Sequence, residues 1–195
     1  MTPKSRKTAL NDLRRLGGVR PKPSDDAPEI WHFGLLSFKA RDPREDRAVV
    51  LVSATVIEQG LEAALLERFP GLGTDEERLI FEDDGAPLRD FGSKIRLSYA
   101  LGIIGPKAKA DLDLIRQIRN TFAHSRAELT FDVPQVAAAC ALLTLNERWP
   151  NMMGDVNDPR EIFIQTAFQY GLYLITDCDK ANDPDGPTLR QRILG

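Results

Sequence analysis

Cysteine is scarce in this chain: 195 residues hold two, Cys140 and Cys178, each inside an apolar helical pattern. That excludes a disulfide-stapled scaffold, and with no Cys/His pair at metal-ligand spacing it excludes a zinc module. Both thiols read as reduced, buried filler in a cytoplasmic protein. Long hydrophobic runs are missing as well. No uninterrupted apolar run approaches the roughly 18–20 residues of a membrane span, so no transmembrane helix and no membrane contact are expected. The opening "MTPKSRKTALNDLRRLGG" lacks the apolar core of a secretory signal. There is no Gly-rich phosphate loop, no Ser-His-Asp grouping and no metal-ligand cluster, so neither a cofactor nor a metal is implied. Strand-like alternation and internal repeats are lacking too.

What is present is an ordinary globular composition, 42% hydrophobic and 28% charged, in a chain long enough for one well-filled core. The net charge of −3 is unevenly spread. Residues 1–22 carry seven Lys/Arg against Asp12 alone, a net of +6. Such an arm either is a solvated terminal helix or contacts nucleic acid or an acidic partner. Residues 1–28 therefore read as a basic helix, stopped by Gly17-Gly18, and a Pro-rich linker. Residues 29–183 form the main domain, and residues 184–195 a flexible tail.

Within the domain, helical periodicity recurs throughout. "IWHFGLLSFKA" packs on the core, with His32 a core or edge histidine. A spine helix of about 27 residues opens at Asp42-Pro43 and ends at Pro70-Gly71, with Val50, Ala54, Ile57, Leu61 and Leu65 on one face. Thr74, with Glu77 three residues on, has the pattern of a capping box. "LRDFGSKIRLSYALGIIG" sets Leu88, Phe91, Ile95 and Tyr99 at helical spacing, and "PKAKADLDLIRQIRNTFAH" follows. "QVAAACALLTLNERW" and "DPREIFIQTAFQYGLYLITDCDK" supply two more helices. The prediction is one all-α bundle of six to eight helices with no sheet.

One stretch, "DLDLIRQIRNTFAHS" over residues 111–125, combines core and chemistry. Leu112, Ile115, Ile118 and Phe122 make its apolar stripe. Arg119 points toward that stripe, while Asn120 and His124 share a polar face one turn apart. A guanidinium aimed at a core needs a partner. Glu58, placed between Leu51 and Leu65 on the spine helix, is the predicted one, giving a buried Glu58–Arg119 latch. Asp90 as the partner, or a snorkelling Arg119, is the alternative. His124, near its helix C-terminus, suits an ion-pairing, acid or capping role. Residues 93–126 hold seven Lys/Arg against Asp111 and Asp113, a net of +5 that includes Arg116 and Arg126. Asn120, His124, Arg116 and Arg126 are thus the predicted functional surface.

The segments "FGSKIRLSYALGII" and "IRNTFAH", in that order and spacing, resemble the mannitol operon repressor family, over about residues 43–180. The resemblance implies an all-α fold and a role in regulating genes for sugar-alcohol uptake and utilisation. No helix-turn-helix, zinc spacing or basic zipper is evident. The expected mode is therefore contact with a protein partner, in a homodimer, with residues 1–22 the only candidate for direct DNA binding.

A shorter resemblance leads elsewhere. Arg119-Asn120-x-x-x-His124 is similar to the signature of the HEPN superfamily, helical domains that include metal-independent endoribonucleases acting across a dimer. It implies that Arg119 clamps the phosphate, His124 moves protons at the ribose 2′-hydroxyl and leaving oxygen, and Asn120 orients them. RNA would then be the substrate. Many HEPN toxins place a Tyr two residues after the His, where this chain has Arg126.

Overall fold

Apolar side chains at intervals of three and four residues decide where the helices face. The structure, a computed structural model, describes residues 45–148, 157–175 and 194. Helix α1 spans Asp46–Leu66. It is followed by α2 (Thr74–Phe81), α3 (Phe91–Ala100) and α4 (Pro106–His124). The segments α5 (Pro134–Cys140), α6 (Leu145–Arg148, a single turn) and α7 (Pro159–Ile175) complete the order. Among the described residues there is no strand, so the fold is all-α.

The spine forms as its periodicity requires. Val50, Ala54, Ile57, Leu61 and Leu65 are all buried, and α1 packs against α7, α4 and α3 at once. It is long and apolar enough to cross a membrane by length and composition alone, the one described helix that is. It ends at Leu66, four residues short of Pro70, because Arg68 and Phe69 close tight turns onto Leu65 and Leu66. The predicted opening at Asp42-Pro43, "IWHFGLLSFKA" with His32, the basic arm and Cys178 lie outside the described residues.

Helix α4 matches its predicted limits. Pro106 sits in its first turn, where the missing N–H costs nothing, and Leu112, Ile115, Ile118 and Phe122 are buried. Phe122 meets Phe131, and Phe131 meets Phe163, at centroid separations of 5.8 and 5.5 Å. Each such ring withdrawn from water stabilises the fold by about 1.5–3 kcal/mol. Helix α7 likewise opens on a proline, Pro159. The Asp158 carboxylate accepts from Arg160 N–H at 3.0 Å and its carbonyl from Ile162 N–H at 2.9 Å.

Three expectations are corrected. Thr74 is the first helical residue of α2 and not its cap; Gly73 caps it through its carbonyl, which accepts from Glu77 N–H, so no capping box forms. Tyr99 leaves the stripe of α3 and Ser98 takes its place in the core, because at about 100° per residue Ser98 falls closer to Phe91 on the helical wheel than Tyr99 does. The helix expected over "QVAAACALLTLNERW" breaks between Cys140 and Leu145. There Thr144 gives its N–H to the Asp111 carboxylate at 2.9 Å instead of continuing the helix. Leu194, the one described residue of the stretch 184–195, is 3% exposed, and its carbonyl accepts from Gly105 N–H at the start of α4.

Candidate functional site

Helices α1, α3 and α4 and the turn before α3 converge on a recess of about 460 Å3, walled by Glu58, Arg89, Asp90, Phe91 and Arg119. Its floor exists because of local chain chemistry. Gly85 takes φ +87°, which a side chain would resist, and so turns the chain back for Leu88 N–H to reach Ile80. Asp90 then caps α3, accepting from Ser93 N–H at 2.9 Å and from the Ser93 hydroxyl at 2.5 Å. Those bonds, the hydroxyl's first, hold the Asp90 carboxyl below the usual carboxylate range.

The predicted Glu58–Arg119 latch does not form. Glu58 Oε1 accepts from Lys94 Nζ at 3.3 Å, and the same ammonium reaches Glu62 Oε2 at 2.9 Å. Lys94 is 4% exposed on the core side of α3. An ammonium buried that deeply needs carboxylate more than a half-buried guanidinium does, and it claims both acids of α1. Asp90, the alternative partner, is spent on Ser93. Arg119 instead gives one Nη1–H to Asn120 Oδ1 at 3.0 Å, and no ion pair links it to a described carboxylate.

Asn120 and His124 do lie one turn apart on α4, Asn120 half-buried and His124 exposed at its last residue. The chain beyond is tied down from α1. Arg47 Nη2 donates to the carbonyls of Ser125 at 2.8 Å and Ala127 at 3.3 Å, and the Ser125 hydroxyl accepts from Ala127 N–H at 3.1 Å. Arg126 is exposed. Arg116 is half-buried, with Nε 3.7 Å from Asp113. Lys94 and Asp111 are both buried, one charge of each sign, so the net of +5 counted over residues 93–126 is the same for the residues that remain. Arg119 and Asn120 are therefore joined, Glu58 lines the recess with Arg119 without pairing with the guanidinium, and neither Asn120 nor His124 lines it.

The charged latches that sequence reasoning missed lie elsewhere. Asp111, 1% exposed, accepts from Tyr170 hydroxyl at 2.6 Å, Arg148 Nη2 at 3.0 Å and Thr144. Asp46 accepts from Phe131 N–H and from Arg160 Nε, each at 3.0 Å. Burial, the Asp111 charge and the hydrogen bond to it push the Tyr170 phenol well above its ordinary value. The signal was periodicity itself: Asp111 precedes Ile115, Ile118 and Phe122 at helical spacing, and Asp46 precedes Val49, Val50 and Ile57 in the same way.

Among the described residues no group of His, Cys, Asp or Glu is placed to hold a metal ion. No protein-family model, curated protein or solved structure matches the chain.

Proposed function

We propose that the chain is a regulatory protein of the mannitol-operon-repressor type, controlling sugar-alcohol uptake and utilisation genes as a homodimer in contact with a protein partner. The observation that carries this reading is the surface of the segment bearing the resemblance. Tyr99 and Leu101 stand 44% and 42% exposed at the turn from α3 to α4, where Gly102 takes φ +68°. An exposed Tyr beside an aliphatic chain offers the amphipathic area that protein interfaces favour. The Lys109 ammonium lies 5.9 Å from the Tyr99 ring centroid and adds charge to the patch.

The test pairs function with stability. Tyr99→Ala and Leu101→Ser are expected to release sugar-alcohol genes from repression in cells and to lose a stoichiometric partner on pull-down, while stability changes by less than about 1 kcal/mol. Variants that repress as the parent does would overturn the reading. Direct operator contact through residues 1–22 is the rival within this class. It predicts an affinity that falls steeply with salt and disappears with the arm.

A second reading, a metal-independent endoribonuclease, is favoured by one observation: the Arg119 guanidinium is held by Asn120 and not by a carboxylate. That leaves its fork open for a phosphate. Arg119 then neutralises the phosphate, Asn120 orients the guanidinium, and His124 of the other protomer exchanges protons. RNA incubated in EDTA with the protein and with its His124→Ala variant decides the matter. Cleavage confined to the parent establishes the nuclease.

A further inference from the structure

We propose that the recess beside Arg119 is a binding site for a small hydroxylated anion, a sugar phosphate or a hydroxy acid, independent of which macromolecular partner the protein has. The argument is an account of hydrogen-bonding capacity left open on its walls. Arg119 is half-buried and uses one N–H, on Asn120. The rest of its planar fork fits a phosphate or carboxylate bidentately. Across the recess Glu58 has one oxygen engaged by Lys94, and its second accepts no described hydrogen bond. Because Lys94 already supplies that carboxylate with a cation, the open oxygen calls for a neutral donor, and a hydroxyl is the simplest.

The remaining walls narrow the class. Asp90 has its charge fixed by Ser93, and Arg89 is bridged to Asp84. The four charged walls therefore sum to zero, so a bare anion meets as much repulsion as attraction. An anion that also offers hydroxyls gains at both ends. The volume, about 460 Å3, lies in the range of small-molecule sites and suits a ligand of sugar size.

Isothermal titration calorimetry on the full chain tests this with four probes: glucose 6-phosphate, gluconate, glucose and inorganic phosphate. Glucose 6-phosphate or gluconate is expected to bind, and which of them does so separates the phosphate from the carboxylate source. Glucose and inorganic phosphate are expected to bind at least about tenfold more weakly, each lacking one half of the recognition. Arg119→Gln is expected to weaken the binding probe at least about tenfold, and Glu58→Gln by less. Ala86→Trp, which adds bulk at a residue lining the recess and replaces neither charged side chain, is expected to abolish binding and serves if the arginine variant fails to fold. Three results would overturn the proposal: no heat with either hydroxylated anion, inorganic phosphate bound as tightly as they are, or binding that survives Ala86→Trp.

Discussion

Two of the arginines that lie near carboxylates, Arg148 and Arg119, are treated oppositely. At one end Arg148 lies with its side chain 10% exposed against Asp111, joined by Tyr170 and Thr144. At the other, Arg119 shares a recess with Glu58 and Asp90 and pairs with neither. Sequence spacing makes both arginines look alike. The difference lies in who else wants the carboxylate. Asp111 sits among apolar side chains of three helices, where its charge is tolerable only with several donors converging on it. Glu58 faces a buried ammonium, and Asp90 faces the open N–H groups at the start of a helix. Each finds a donor nearer than Arg119.

Breaking that contrast should produce a graded series. Asp111→Ala is the severe case: it takes the carboxylate from a buried guanidinium, a phenol and Thr144, and should cost about 3–5 kcal/mol in chemical denaturation. A loss below about 1 kcal/mol would mean the network is not sealed from water. Tyr170→Phe removes one donor from the same carboxylate and should cost about 1–2 kcal/mol at neutral pH.

That tyrosine also sharpens the contrast by pH. Its folded-state value is raised. Its contribution is therefore complete below the unfolded value near 10 and is lost as pH climbs toward the folded value. Phenolate absorbance between about pH 10 and 11 should be the same for parent and Tyr170→Phe while both remain folded; a smaller signal in the variant would place the phenol in contact with solvent.

The open end should respond weakly. Glu58→Ala leaves Glu62 on Lys94 and should cost about 1 kcal/mol or less, and Arg119→Ala less than about 1 kcal/mol. A loss of about 3 kcal/mol from Arg119→Ala would restore the latch that spacing alone implies. The smallest effect concerns Cys140, whose thiol burial pushes up to about 12. In a Cys178→Ala background it should stay unreactive to a thiol reagent from pH 7 to 9 until the chain unfolds. Steady labelling of the folded protein would show an accessible thiol.

How far the sequence could be read varies with the kind of interaction. The stripes of α1 and α4 were legible residue by residue, because burial of apolar groups is additive, non-directional and written in a 3.6-residue period. Pro106 and Pro159 open α4 and α7, where a ring that fixes φ acts locally. Tyr99 was misplaced because its aromatic side chain drew the stripe to the i+4 position after Ile95, whereas the i+3 residue Ser98 lies nearer the stripe's centre. The break before Leu145 was invisible, since its cause, Asp111, lies 33 residues upstream of Thr144. Within the site, Arg119, Asn120 and His124 were found as neighbours along one helix. The partner of Glu58 was not, because Lys94 belongs to another element and looks, in a list of residues, like any surface lysine.

By itself, then, the amino-acid order determined an all-helical bundle, its apolar faces and the polar grouping at the end of α4. Only the tertiary structure decided which charges are shut in and which face an opening. A hydrogen bond depends on direction and on competition among every donor within reach, and those competitors are gathered by packing from distant parts of the chain.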